Sequence, residues 1–316
     1  MRILITGGCG FVGTVLTNYL LLKKHKITII DTQWFGNYIK PKKNLKIIKQ
    51  DIRNIDKISL KNTDTIIHLA NIANDPAVEL NPELSWDINV LAGQQLIDKA
   101  VRSKVKHFIY ASSGSVYGIK KEKKVTEDMT LVPISVYNKT KMIAERIFLS
   151  YEDKIKVHCI RPATVCGYSP RMRLDISVNL LTYHALSKGL ISIFGGKQIR
   201  PNINIKDLVR VFEHFLMRRK LPGGCYNAGF ENISIADLSK KIISNVKSKS
   251  IIKKSNDPRS YRQHSAKLLK TGFKPKYNVL DAIKDIQHQF LEGKIKNDEK
   301  SHTVKWMKKL MNKNII

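Results

Sequence analysis

The sequence predicts an α/β fold, a doubly wound parallel sheet with a smaller C-terminal lobe. Three observations predict it. Short apolar runs alternate with longer helix-compatible stretches through the first half of the chain, the pattern of βαβ units on a parallel sheet. The runs are continuously apolar at their centres, as strands covered by helices on both faces must be. The first run leads into glycines at positions 7, 10 and 13, a turn that opens straight into a helical pattern.

Taken in order, strands are predicted at 3–6, 27–31, 45–51, 65–70, 107–112 and 156–162, and helices at 11–23, 83–104, 137–152, 175–188, 205–219, 234–246 and 279–292. After Pro162 the alternation is lost, and glycine pairs at 195–196 and 223–224 punctuate the chain. Residues 1–165 therefore read as one domain and 166–316 mainly as the smaller lobe, with some segments returning to the first domain. The tail from 294 to 316 is basic, with Val304, Met307, Leu310 and Met311 at helical spacing. That spacing predicts a surface helix packed on its own domain or on a partner subunit.

With 316 residues and 42% hydrophobic content the chain can bury a substantial core, and no apolar stretch approaches the roughly 18 residues of a membrane span. A soluble protein without a membrane partner is expected. The opening MRILITGG runs directly into glycines, unlike a signal peptide, so a cytoplasmic location is expected. Cys9, Cys159, Cys166 and Cys225 lack CxxC spacing and read as reduced thiols, with no metal site. The net charge of +30 is spread through loops such as KPKKNLK and IKKEKK, and no aromatic-and-basic recognition module accompanies it. Compositional drift explains this charge better than a nucleic-acid partner does.

Gly7, Gly10 and Gly13 form GxxGxxG between the first strand and the helix that opens at Phe11 and Val12. Glycine permits positive φ and lets backbone amides approach phosphate, while the helix N-terminus adds partial positive charge. In a strand–turn–helix setting this pattern marks a Rossmann-type dinucleotide site, with Phe11 and Val12 counted beside the glycines. Asp31 ends the second strand, 18 residues after Gly13. A carboxylate there accepts hydrogen bonds from the adenosine ribose and repels a 2′-phosphate, so the expected cofactor is NAD.

Tyr137 and Lys141 stand four apart in YNKTK and share a helix face. A free phenol titrates near ~10, too high for a base at neutral pH, but an adjacent ammonium and a positively charged nicotinamide favour the phenolate. Tyr137 can then exchange a proton with a substrate hydroxyl, while Lys141 lowers its pKa and holds the nicotinamide ribose. The fifth strand ends in ASSGSVYG, which puts Ser113 near the carboxyl edge of the sheet, where ligands bind in open α/β folds.

Together TGGCGFVG, HLA (68–70), ASSGSVYG and YNKTK resemble the extended short-chain dehydrogenase/reductase family of NAD-dependent nucleotide-sugar epimerases and dehydratases, over nearly the whole chain. The resemblance implies that Ser113, Tyr137 and Lys141 are the catalytic triad, Ser113 also touching substrate and the other two the cofactor. Asn89 is implied as a supporting polar residue on the cofactor side. Further cofactor contacts are implied at Asp51 and Ile52, the adenine-contacting pair, and at Leu69 and Ala70. In the second lobe Asn179, Arg200 and Arg259 match positions that grip a nucleotide sugar, the arginines pairing with diphosphate oxygens. Helices 83–104 and 137–152 match the pair that forms a dimer interface in many relatives, so a homodimer is expected.

Departures from the family pattern narrow the chemistry. Its dehydratases and decarboxylases carry an acid two places before the tyrosine of VYG, and dTDP-glucose dehydratases carry two in succession. Gly114 and Ser115 stand here instead, which disfavours a 4,6-dehydratase. Thr164 replaces the asparagine of many 4-epimerases, and Cys166 a common tyrosine. Arg171 and Arg173 in SPRMRLD are expected near the sugar and hint at an acidic or otherwise modified one, a pattern that solvated loop charge explains equally well. The expected function is NAD-dependent nucleotide-sugar epimerisation through transient oxidation at C4. A nucleotide-sugar C4 dehydrogenase or ketoreductase needs the same groups for its first half-reaction, and a non-catalytic NAD- and RNA-binding protein is the reading from another class.

Overall fold

The computed structural model describes residues 1–254 and 260–316. Its strands are β1 (Arg2–Thr6), β2 (Lys26–Asp31), β3 (Leu45–Lys49), β4 (Thr65–His68), β5 (His107–Ala111), β6 (Lys156–Pro162), β7 (Thr164–Cys166), β8 (Leu190–Phe194), β9 (Ile199–Asn204), β10 (Gly224–Ala228), β11 (Glu231–Ser234) and β12 (Lys249–Lys253). Seven of them form a sheet in the order β10-β6-β5-β4-β1-β2-β3, with every neighbouring pair parallel. The chain builds outward from β1 through β2 to β3, then crosses back to lay β4 on the other side of β1. That reversal opens a crevice at the carboxyl ends of β1 and β4, the place where open α/β sheets hold ligands.

The two faces of the sheet follow the period of two along each strand. Ile3 and Ile5 of β1 pack with Leu16 and Leu20 of the helix Phe11–Leu22 and with Phe212 and Phe215 of the helix Ile205–Met217. Leu4, between them, faces the opposite layer, where Leu96 and Ile97 of Ala92–Arg102 and Phe148 of Val136–Leu149 gather. Removing a ring as buried as Phe148 costs about 3–5 kcal/mol.

Six strands of this sheet were expected; the seventh, β10, was not. It contributes only five residues, GCYNA, after a whole lobe has intervened, yet it pairs with β6 in register from Gly224↔His158 to Ala228↔Pro162. The expected helix 83–104 is also interrupted. It runs Pro82–Trp86, then a π turn Asp87–Leu91, then Ala92–Arg102. Such bulges insert one residue into the ladder and re-aim what lies on it. Here the π turn carries Asn89 into full burial.

The second lobe packs Val178 and Leu181 of the helix Ser177–Lys188, Leu238 of Ile235–Ile243 and Ile283 of Val279–Leu291 around Ile191 and Ile193 of β8. A three-stranded sheet β11-β9-β7 joins it to the first domain. Segments of the second half that return to the first domain include the helix Ile205–Met217, β10, Leu268 of the helix Ala266–Lys270, and the helix Thr303–Asn312, whose Met307 enters the same core as Phe148. All four cysteines are buried and unpaired. Among the described residues no helix is long and apolar enough to cross a membrane.

Candidate active site

A cavity of about 530 Å³ follows the carboxyl edge of the sheet, lined from both lobes. Its first end is made of backbone. β1 stops at Thr6, and Gly7 turns at φ +71° with its N–H donated to Ile30 O at 2.9 Å. A Cβ on Gly7 would lie 2.6 Å from Ala70 N, and one on Gly13 would lie 2.4 Å from Gly7 O. The turn therefore closes on itself, and on the chain after β4, more tightly than any side chain permits. Gly10 caps the helix Phe11–Leu22 without a side-chain hydrogen bond, so the first N–H groups of that helix face the cavity without a protein cap. A cradle this close, ending in free backbone donors, fits a dinucleotide diphosphate.

Asp31 stands at the end of β2 beside the turn. Its carboxylate accepts the N–H of Cys9 at 2.9 Å and that of Gln33 at 2.6 Å, tying the glycine turn to β2. Burial pushes its carboxyl above the usual range, against the pull of those two bonds. Asp51 and Ile52 line the same end. Burial of Asp51 works against ionisation, but hydrogen bonds from Arg53 outweigh it and hold the carboxyl low. Leu69 and Ala70 form the wall after β4. Thr303 and Met307 close this flank as well, because Trp306 Nε1 donates to Trp34 O at 2.6 Å and Thr303 N–H to Asp175 Oδ2 at 3.0 Å. Of the two placements expected for the tail, the helix takes its own domain.

The second end is made of side chains. Ser135 caps the helix Val136–Leu149, accepting from Asn138 N–H at 3.1 Å, and Tyr137 follows in its first turn. The phenol hydrogen-bonds with Ser113, whose Oγ lies 2.8 Å from Ser115 Oγ. Lys141 Nζ donates to Ala111 O at 2.6 Å and sits 5.8 Å from the centre of the Tyr137 ring. Burial pushes Tyr137 up to about 12 and Lys141 down to about 7. Burial thus drives both groups toward their neutral forms, a cost not counted in the expectation that the ammonium and the nicotinamide together favour the phenolate. Arg173 pulls the Tyr137 pKa down, and Asp75 pushes it up.

Several residues that hold this geometry were not singled out from the sequence. Arg161 on β6 forms a buried ion pair with Glu145, Nη2 to Oε2 at 2.8 Å, and donates to Tyr117 at 2.7 Å, fastening the Tyr137 helix to the sheet. Glu145 lies four residues after Lys141, and that spacing was its available signal. His68 meets Thr6 Oγ1 at 2.7 Å beneath the turn.

Other residues stand elsewhere than expected. Asn89 is off the cavity wall; its amide bonds both backbone groups of Ile72, at 2.8 and 3.1 Å, and reaches Thr140. Asn179 is likewise fully buried, bonding Gly167 N–H and the carbonyls of Gly167 and Arg173. Both are amide struts for loops that lack regular partners. Arg200 lines the cavity from β9, and Thr164 lines it from β7, but Cys166 turns away into the core. Arg259 lies outside the described residues. Arg173 acts on Tyr137, whereas Arg171 lies over the Phe35 ring at 4.1 Å and feels Arg173, Asp175, Tyr38 and Asp31.

Residues 3–229 match the family described as NAD dependent epimerase/dehydratase. The chain is 31% identical over 249 residues to the uncharacterized UDP-glucose epimerase YtcB of Bacillus subtilis (strain 168), an overlap of 72% of this chain and 77% of that one. It is 25% identical over 315 residues to UDP-glucose 4-epimerase of Lactobacillus helveticus, covering 90% and 94% of the two chains. Among solved structures, UDP-glucuronic acid 4-epimerase from Bacillus cereus in complex with UDP-glucuronic acid and NAD matches with a TM-score of 0.79 at 26% identity, over 92% of this chain and 99% of that one. Glycine turn, parallel sheet and sequence agree, and the chain belongs to the NAD-dependent epimerase/dehydratase family.

Proposed function

We propose that the protein is a nucleotide-sugar 4-epimerase, with UDP-sugars the first substrates to try because the relatives named above carry UDP in their names. NAD, held by the glycine turn, Asp31 and the wall at Leu69 and Ala70, supplies reversible hydride exchange when bound. Tyr137 takes the proton of the C4 hydroxyl and returns it after the 4-keto sugar has turned over in the cavity. Ser113, hydrogen-bonded to the phenol, orients the same oxygen. Burial favours the protonated phenol, while Ser113 and Arg173 pull toward the phenolate, the form that can accept this proton. Arg200, on the opposite lobe, is proposed to meet the diphosphate of the substrate.

One observation carries the reading: Ser113 is backed by the hydroxyl of Ser115, where dehydration would call for a carboxylic acid. The test supplies purified enzyme with UDP-glucose and no added NAD, follows the sugar by NMR, and watches nicotinamide absorbance. Epimerised product with flat absorbance supports the proposal. Turnover only with an equimolar absorbance change from external NAD(H) would make the enzyme a C4 dehydrogenase or ketoreductase. Asp75 favours one further reading, a dehydratase, since its carboxylate lines the cavity close enough to act on Tyr137. A 4-keto-6-deoxy product would establish it. A cytoplasmic homodimer is the proposed setting, checked by sedimentation of the purified protein.

A further inference from the structure

We infer that Arg171 is a ligand for the cofactor diphosphate, closing on it from the side opposite the glycine turn. The inference rests on NAD binding and not on the epimerase reading. Arg171 is 5% exposed, lines the cavity, and leaves Nε and Nη1 buried without an acceptor among the described residues. Burying a guanidinium without a partner is costly, and a site that retains one has an anion to receive. The nearby carboxylates are committed elsewhere. Asp175 is bound to Arg173 Nε at 2.8 Å, and both oxygens of Asp31 hold backbone N–H groups.

Position selects the anion. Two residues before Arg171, Ser169 Oγ donates to Phe11 O at 2.8 Å, pinning the segment to the first turn of the helix whose N–H groups face the cavity. Two residues of chain span at most about 7 Å, within reach of a group seated on that turn. The guanidinium lies over Phe35, 4.1 Å from the ring centre, and feels the charge of Arg173 first, then those of Asp175, Tyr38 and Asp31. Phe35 and Asp31 line the cavity together with the glycine turn. Helix N-terminus and guanidinium then face one another across the ligand, each supplying positive charge.

The experiment compares wild type with Arg171→Met and Arg171→Lys by calorimetric titration with NAD, ADP-ribose, NADP, UDP and adenosine, and by thermal unfolding without ligand. The inference expects Arg171→Met to weaken ADP-ribose and NAD by roughly 10- to 100-fold, with Arg171→Lys between. Adenosine and UDP affinity stay within about threefold, and the melting temperature of the ligand-free protein is unchanged or higher, because a buried cation has been removed. Selective loss of UDP binding would move Arg171 to the substrate, and selective loss of NADP would move it to the ribose 2′ position. A lower ligand-free melting temperature with all ligands weakened alike would make it a structural residue. Each of these three results overturns the inference.

Discussion

The two ends of the cavity are built from different material. At the glycine turn the surface is backbone, with contacts at Gly7 and Gly13 that leave no space for a Cβ. At the reaction end it is side chain: a half-buried phenol, a buried lysine, two serines and arginines arriving from another lobe. A backbone site is formed once the fold is formed, and it can recognise only what every dinucleotide shares. A side-chain site depends on the protonation state of each group, and there the chemistry and the choice of substrate are set.

The contrast can be broken most severely at Gly13. Gly13→Ala puts a methyl 2.4 Å from Gly7 O and 2.7 Å from Gly8 Cα, so NAD affinity is expected to fall more than about 100-fold with a lowered melting temperature. Normal NAD binding by that variant would show that the cradle is not the cofactor site. At the other end, Tyr137→Phe keeps the ring and removes the proton carrier. Turnover is expected to drop by roughly 10²–10⁴-fold while bound NAD, measured after denaturation, stays at the wild-type level.

Asp75→Asn sharpens the comparison further. The epimerase reading expects less than about a tenfold loss of turnover, the dehydratase reading more than about 100-fold. The variant also removes a negative charge that raises the Tyr137 pKa, so the rise of activity with pH should move to lower pH. The smallest effect concerns stability. Burial pushes His68 down to about 3, so it stays neutral in the folded protein while an unfolded chain takes up its proton near ~6.5. Below that pH the unfolded state binds more protons, and stability falls as pH drops toward about 3. Unfolding midpoints measured from about pH 7 to 4 should decline less steeply in His68→Gln than in wild type.

The same division explains what could be read from the sequence. Gly7, Gly10 and Gly13 were legible because a close backbone approach admits one residue type, and the apolar strands because burial on both faces leaves a continuous run. Asn89 and Asn179 were legible as unusual but not as struts: an amide on a helix looks alike whether it meets a ligand or a loop carbonyl. Arg171 and Arg173 are two apart in the chain yet take different partners, Phe35 for one and Asp175 for the other, a difference set by the path of an irregular segment that no periodicity reports. β10 escaped because its pairing partner lies a lobe away, and five residues carry too little pattern to announce a strand.

The flank closed by the helix Thr303–Asn312 has a consequence for the order of events in the life of the molecule. Thr303 and Met307 are synthesised after every other residue of the cavity wall, while Gly7 is among the first. The cradle, which closes on Ala70, is therefore complete in the growing chain more than 200 residues before Thr303 closes the pocket around it. A growing chain that has not yet reached Thr303 therefore holds the turn in a pocket still open on one side.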